Sequence, residues 1–150
     1  MKKILIVDDE PTITILMAEI LAATGDYRVE ATNDPLHALR RAQSETFDLI
    51  ISDWQMPGLN GDTLFRRLQN SFRKNPSRSA GLPHLLLMSG LTSEEKIRPM
   101  LDFIGSRSFL KKPFDIETLT NTVDDLVFGE PRCLAEEITR ELDRLEMQAC

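Results

Sequence analysis

The chain has 150 residues, 41% hydrophobic and 28% charged, values of a folded globular domain that exclude wholesale disorder. Eighteen Lys and Arg against 24 Asp and Glu leave a net charge of −6, which argues against a nucleic-acid module, because phosphate binding needs a basic face. A domain of this size buries roughly 68–70% of its unfolded surface and needs neither disulfides nor structural zinc to fold.

Met1-Lys2-Lys3 opens the chain, and an apolar run of β-branched residues follows to Val7. That run predicts a first strand over 3–7, buried on both faces as in a parallel sheet. It stops at Asp8-Asp9-Glu10, short of the roughly 7–15 apolar residues a signal peptide needs. Pro11 suits a first helical position. Ile13, Leu16, Met17, Ile20 and Leu21 recur at helical spacing until Gly25. Residues 27–31 predict a second strand. Asp34-Pro35 predicts a capped helix to about Gln43. Residues 47–52 predict a third strand ending at Asp53. A loop from Trp54 to Gly61 leads to a helix carrying Leu64, Phe65 and Leu68.

The stretch 75–82 is rich in Pro, Ser and Gly and reads as a loop. A fourth strand is expected over 84–88. Ser93-Glu94-Glu95 caps a short fourth helix, and 108–110 form a brief fifth strand. Asp115 caps a last core helix carrying Ile116, Leu119, Val123, Leu126 and Val127, and Gly129-Glu130-Pro131 breaks it. No stretch approaches the roughly 18 apolar residues of a membrane span. Only Cys133 and Cys150 are present, with no zinc-like spacing, so the expected compartment is a reducing cytoplasm.

Five strand–helix units in a row imply an α/β fold, with helices on both faces of a parallel sheet. Right-handed crossovers leave few topologies, and five strands suit the doubly wound flavodoxin-like order 2-1-3-4-5. Such sheets bind ligands outside the carboxyl ends of strands 1 and 3. Asp8 and Asp9 close the first strand, Asp53 the third and Ser89 the fourth, and Lys112 follows the fifth. Three carboxylates held together repel unless a cation answers them. Oxygen ligands without His or Cys favour Mg²⁺, with Mn²⁺ as the alternative ion. A plainer reading makes the acidic pair a cap for the first helix, facing its dipole.

Together these residues, with Met56-Pro57-Gly58, Asn60-Gly61 and Lys112-Pro113-Phe114, resemble a response-regulator receiver domain over about residues 2–128. The resemblance implies a phosphoacceptor that catalyses its own phosphorylation and autodephosphorylation without being an enzyme on a separate substrate. It implies Asp53 as the phosphorylated aspartate. Asp9, Asp53 and the backbone carbonyl of Gln55 would ligate Mg²⁺, and Asp8 would act through metal-bound water. Lys112 would hold a phosphoryl oxygen. Ser89 is the switch hydroxyl and Phe109 the switch aromatic, acting on the face formed by the fourth helix, fifth strand and last core helix. The implied partners are a sensor histidine kinase or histidine phosphotransfer protein and a downstream protein target, with no nucleic acid and no membrane. Two residues past Ser89 and Asp53, Leu91 and Gln55 flank the path of attacking water. Gly90, where the family often has Ala, loosens the switch loop. The glycines at 58 and 61, and Asn60, are expected where the loop needs positive φ.

Two departures and two rival readings remain. The segment 73–82, with Arg73, Lys74 and Arg78, is longer than most receivers carry. Residues 130–150 form a separate amphipathic tail after a receiver of residues 1–129. Leu134, Ile138, Leu142 and Leu145 make its apolar helical stripe. That stripe serves either docking on its own domain or a homodimer or partner contact. The rival functions are a receiver fragment of a larger regulator and an Mg²⁺-dependent aspartyl phosphatase of the haloacid-dehalogenase type. The latter expects Asp-x-Asp and a substrate cap, which Asp8-Asp9-Glu10-Pro11 does not fit. The tail carries −3 and the three pocket aspartates another −3, so the remaining charges balance.

Overall fold

The computed structural model describes residues 1–75, 81–90, 98 and 108–129. Five strands alternate with helices: β1 (Lys2–Val7), α1 (Pro11–Ala23), β2 (Tyr27–Thr32), α2 (Pro35–Ser44), β3 (Leu49–Asp53), α3 (Gly61–Lys74), β4 (His84–Ser89), β5 (Phe109–Lys111) and α4 (Ile116–Val127). The strands form one parallel sheet in the order β2-β1-β3-β4-β5, as the alternation predicted. The helix expected after Ser93, Leu91, residues 76–80 of the loop and the tail 130–150 lie outside the described residues.

The apolar runs are continuous because both faces of the sheet are covered. Leu5, Val7, Ile50, Leu85 and Leu87 pack toward α2 and α3, against Leu39, Leu64 and Leu68. Their neighbours Ile4, Ile6, Leu49, Ile51, Leu86 and Met88 pack toward α1 and α4, against Met17, Leu21, Leu119 and Val123. The period-2 alternation of a strand thus feeds two cores at once.

Caps bound the helices where the sequence placed them. The Asp34 carboxylate accepts from Leu36 N–H at 3.0 Å, and Asp115 accepts from Thr118 N–H at 2.7 Å. Gly25 takes φ +80° just beyond α1, a conformation that suits glycine. Several boundaries differ from expectation by a residue or two. β3 begins at Leu49, and Phe47 lies before it, buried in the core toward α2 and α3. β5 runs from Phe109 rather than Ser108. Arg73 and Lys74 belong to the last turn of α3, where cations face the negative end of the helix dipole; the loop is correspondingly shorter.

On the floor of the sheet, Glu45 receives Lys3 Nζ at 2.5 Å and Arg41 Nε at 2.6 Å. Arg41 also bonds Glu30. The hydrogen bond from Arg41, with that from Lys3, lowers the Glu45 carboxyl from 4.5 to about 2. A carboxylate depressed in the fold stabilises above its unfolded pKa and loses that contribution as pH falls through its folded one. Glu45→Gln is therefore expected to lower the urea midpoint at neutral pH. The gap to wild type should shrink below about pH 4.5 and close near pH 2. A gap constant from pH 7 to pH 3 would refute the ion-pair account.

Candidate functional site

The strand order puts the carboxyl ends of β1 and β3 side by side, with Val7 opposite Ser52. Asp8 and Asp9 follow the first, and Asp53 ends the second. One carboxylate oxygen from each of Asp8, Asp9 and Asp53 lies within 4.8 Å of the others. Asp8 is fully buried, Asp53 partly so, and Asp9 exposed. The trio therefore grades from a buried carboxylate out to solvent.

Lys112 enters from the turn after β5. Its Nζ donates to Asp8 Oδ2 at 2.9 Å and stands 3.6 Å from Asp53 Oδ2. Its own N–H donates to the Ser89 carbonyl at 2.8 Å, which ties the ends of β4 and β5 to the pocket. Burial pushes the Asp53 carboxyl up to about 6; Lys112 opposes this, and Asp8 and Asp9 add to it. Burial by itself would lower the Lys112 ammonium. The hydrogen bond to Asp8 and the charges of Asp53 and Asp8 outweigh it, so its pKa is raised.

Does the acidic pair merely cap α1? The residue at the cap is Glu10, whose side chain makes no capping bond. Asp8 Oδ1 instead accepts from Glu10 N–H at 3.0 Å while its other oxygen holds Lys112. The pair serves the pocket. The carboxylates fit a hard divalent cation, which prefers oxygen donors and tolerates several waters.

Ser89 is buried at the end of β4. Phe109 pairs with Leu87, two residues before Ser89, so both side chains belong to the same face of adjacent strands. The Phe109 ring packs, partly exposed, against the core toward α2 and α3. Gln55 is exposed in the loop after β3, two residues past Asp53.

That loop corrects one expectation. Gly58 has φ +86°, as the turn requires. Asn60 and Gly61 do not adopt positive φ. Gly61 is required by proximity: a Cβ there would sit 2.5 Å from the Asp53 carbonyl oxygen and 2.8 Å from Leu87 Cδ1. Its N–H donates to the Trp54 carbonyl at 2.9 Å, closing the loop. Sequence reasoning also passed over Asn33. Its amide donates to the Asp8 carbonyl at 2.8 Å and to Thr14 Oγ1 at 3.0 Å, fixing the turn that presents the acidic pair. The available signal was an Asn placed just after the second strand, where another strand end could meet it.

Fold and site together define a doubly wound α/β domain whose strand ends gather three carboxylates, a lysine and a serine. The family model of the response regulator receiver domain matches residues 4–124. The chain belongs to that family, the receivers of two-component signalling. It is similar to the chemotaxis protein CheY-3 of Vibrio cholerae, 30% identical over 83% of this chain and 90% of that protein. Gliding motility regulatory protein of Myxococcus xanthus is 33% identical over 83% of this chain, which spans only 15% of that longer protein. Among solved structures, chemotaxis response regulator CheY4 of Vibrio cholerae matches with a TM-score of 0.66 and 33% identity, over 84% of this chain and 98% of its own.

Proposed function

We propose that this receiver accepts a phosphoryl group on Asp53 from a sensor histidine kinase or histidine phosphotransfer protein, in an Mg²⁺-dependent reaction. The carrying observation is the Asp53 carboxylate beside Lys112, in a pocket whose other two carboxylates demand a cation. An Asp53 oxygen attacks phosphorus, the phosphorus–nitrogen bond of the donor phosphohistidine breaks, and its electron pair leaves on the imidazole. Lys112 neutralises a phosphoryl oxygen as charge develops there. Asp9, Asp53 and the Gln55 carbonyl would hold Mg²⁺, with Asp8 acting through its water. When bound, that ion supplies the positive charge that lets carboxylates and a phosphoryl group share one pocket.

The chain is thus a phosphoacceptor that promotes its own phosphorylation and dephosphorylation, rather than an enzyme acting on a separate substrate. Signalling follows as a population shift. The new phosphoryl oxygens draw in the Ser89 hydroxyl, Phe109 turns inward, and the face around β5 and α4 presents itself to a downstream protein. The place of action is the cytoplasm; among the described residues no helix is long and apolar enough to cross a membrane.

Trp54 supplies the test. It shares a peptide bond with Asp53, its N–H donates to the Met88 carbonyl at 2.7 Å, and it is the single tryptophan of the chain. Mg²⁺ is expected to change its emission, and beryllofluoride, a phosphoryl mimic, to change it further. Asp53→Asn should abolish the beryllofluoride response. A silent wild type, or an undiminished response in Asp53→Asn, overturns the reading.

A further inference from the structure

The sheet register sets Val7 opposite Thr32, so the chain leaves β1 and β2 at the same level. Asp8 and Asn33 are the next residues on either side. Asp8 is held at each of its polar groups. Its N–H donates to the Thr32 carbonyl at 3.3 Å, Oδ1 accepts from Glu10 N–H, and Oδ2 accepts from Lys112. Its carbonyl accepts from the Asn33 amide at 2.8 Å. The same amide nitrogen donates its other hydrogen to Thr14 Oγ1 at 3.0 Å. Thr14 is buried in α1 and gives its hydroxyl hydrogen to the Pro11 carbonyl at 3.0 Å, which leaves its lone pairs for Asn33. A carbonyl only accepts, so the nitrogen of Asn33 and not its oxygen must face Asp8. An aspartate in this place, ionised and an acceptor only, would make neither bond.

We propose that Asn33, braced by Thr14, is a positioning residue for the pocket cation and sets how tightly the pocket binds it. This rests on the Mg²⁺-dependent reading above and adds to it a residue that carries no charge. The Asp8 carbonyl and the Asp9 N–H belong to one planar peptide, so the bond that fixes the carbonyl also fixes where Asp9 begins. Asp9 is exposed, and its carboxylate takes its place from that backbone. The aspartates must converge to within 4.8 Å for one ion to meet all three. The turn between β2 and α2 supplies no carboxylate to that trio; its contribution is this clamp.

Removing the clamp should cost the site more than the fold. Asn33 is exposed, so water can take over the Asp8 carbonyl in its absence. Water satisfies the acceptor without fixing its direction. Groups that orient metal ligands without touching the metal typically contribute about 10–100-fold in affinity.

The test titrates the full chain with Mg²⁺ through Trp54 emission and takes urea midpoints without the ion. Asn33→Ala is expected to weaken Mg²⁺ binding by about 10–100-fold. Thr14→Val keeps the shape of the side chain and removes the brace, for a loss of roughly two- to tenfold, the share of one neutral hydrogen bond. Thr14→Ser brings the hydroxyl back and should recover wild-type affinity, although the missing buried methyl lowers its urea midpoint. The threonine acts through the asparagine, so Asn33→Ala with Thr14→Val should match Asn33→Ala alone to within about twofold. Affinity and stability thus rank the variants in different orders, which a merely structural role would not produce. Wild-type affinity in Asn33→Ala, additive losses in the double variant, or affinities that track the urea midpoints overturn the proposal and leave the phosphoacceptor reading standing. A wild type whose emission ignores Mg²⁺ overturns that reading, and this proposal with it.

Discussion

Replacing Lys112 with methionine is expected to slow phosphoryl acceptance from a small phosphodonor by roughly 10²–10³-fold, the usual penalty for removing a preorganised charge from a transition state. Mg²⁺ affinity should not fall with it. The Lys112 ammonium faces Asp8 at 2.9 Å and Asp53 at 3.6 Å. It therefore competes with a divalent ion for the same carboxylates, and its removal leaves them more attractive to one. The fold should suffer in the absence of Mg²⁺, because Asp8 is fully buried and loses its partner. Breaking a buried pair costs at most about 3–5 kcal/mol, and less here because Lys112 is partly exposed. Added Mg²⁺ should recover much of that loss. The three readouts separate the roles: phosphorylation kinetics, Mg²⁺ titration through Trp54, and urea midpoints with and without the ion. An unchanged rate would remove Lys112 from the chemistry. A weakened Mg²⁺ affinity would make it a scaffold for the carboxylates rather than their competitor.

How much of this was legible in the sequence follows from what each feature depends on. The sheet was legible because a strand buried on both faces must be apolar throughout, and Ile4 to Val7 are. The helix starts were legible because Asp34 and Asp115 act on amides two and three residues away. The pocket was legible at one remove. Once the strand order is given, Asp8, Asp9, Asp53 and Ser89 must share an edge. What stayed hidden depends on proximity between segments remote in the chain. Nothing near Asn33 announces that it will hold the Asp8 carbonyl. Nothing near Glu45 announces Lys3. The direct grip of Lys112 on Asp8 needs the register of β4 and β5. The balance of charges outside pocket and tail concealed a sidedness. Arg66, Arg67, Arg73 and Lys74 line the exposed surface of α3, while the charged residues that α1 and α4 expose are all acidic.

Gly61 is where the fold and the site constrain each other most tightly. Gly61→Ala is expected to destabilise the chain by roughly 2 kcal/mol or more, at the upper side of the overpacking range. It should also slow phosphoryl acceptance on the order of 10²-fold, the loss that follows misplacing a reacting group by about 1 Å. The added methyl would meet the Asp53 carbonyl oxygen at 2.5 Å, with Leu87 Cδ1 at 2.8 Å and Ser52 Oγ at 3.0 Å behind it. Leu87 has little freedom to yield, since it is fully buried, and the carbonyl belongs to Asp53 itself. Relief therefore comes by moving either the start of α3 or the end of β3, and both displace the Asp53 carboxylate from Lys112. The better helix propensity of alanine offsets at most about 1 kcal/mol. Gly58→Ala is the matched control. Gly58 has φ +86° with nothing within 4 Å of its would-be Cβ, so its cost is conformational only, about 1–2 kcal/mol. Urea midpoints and phosphorylation rates of the two variants decide the matter. If Gly61→Ala kept a wild-type rate and lost no more stability than Gly58→Ala, the close approach of α3 to β3 would not be what sets the position of Asp53.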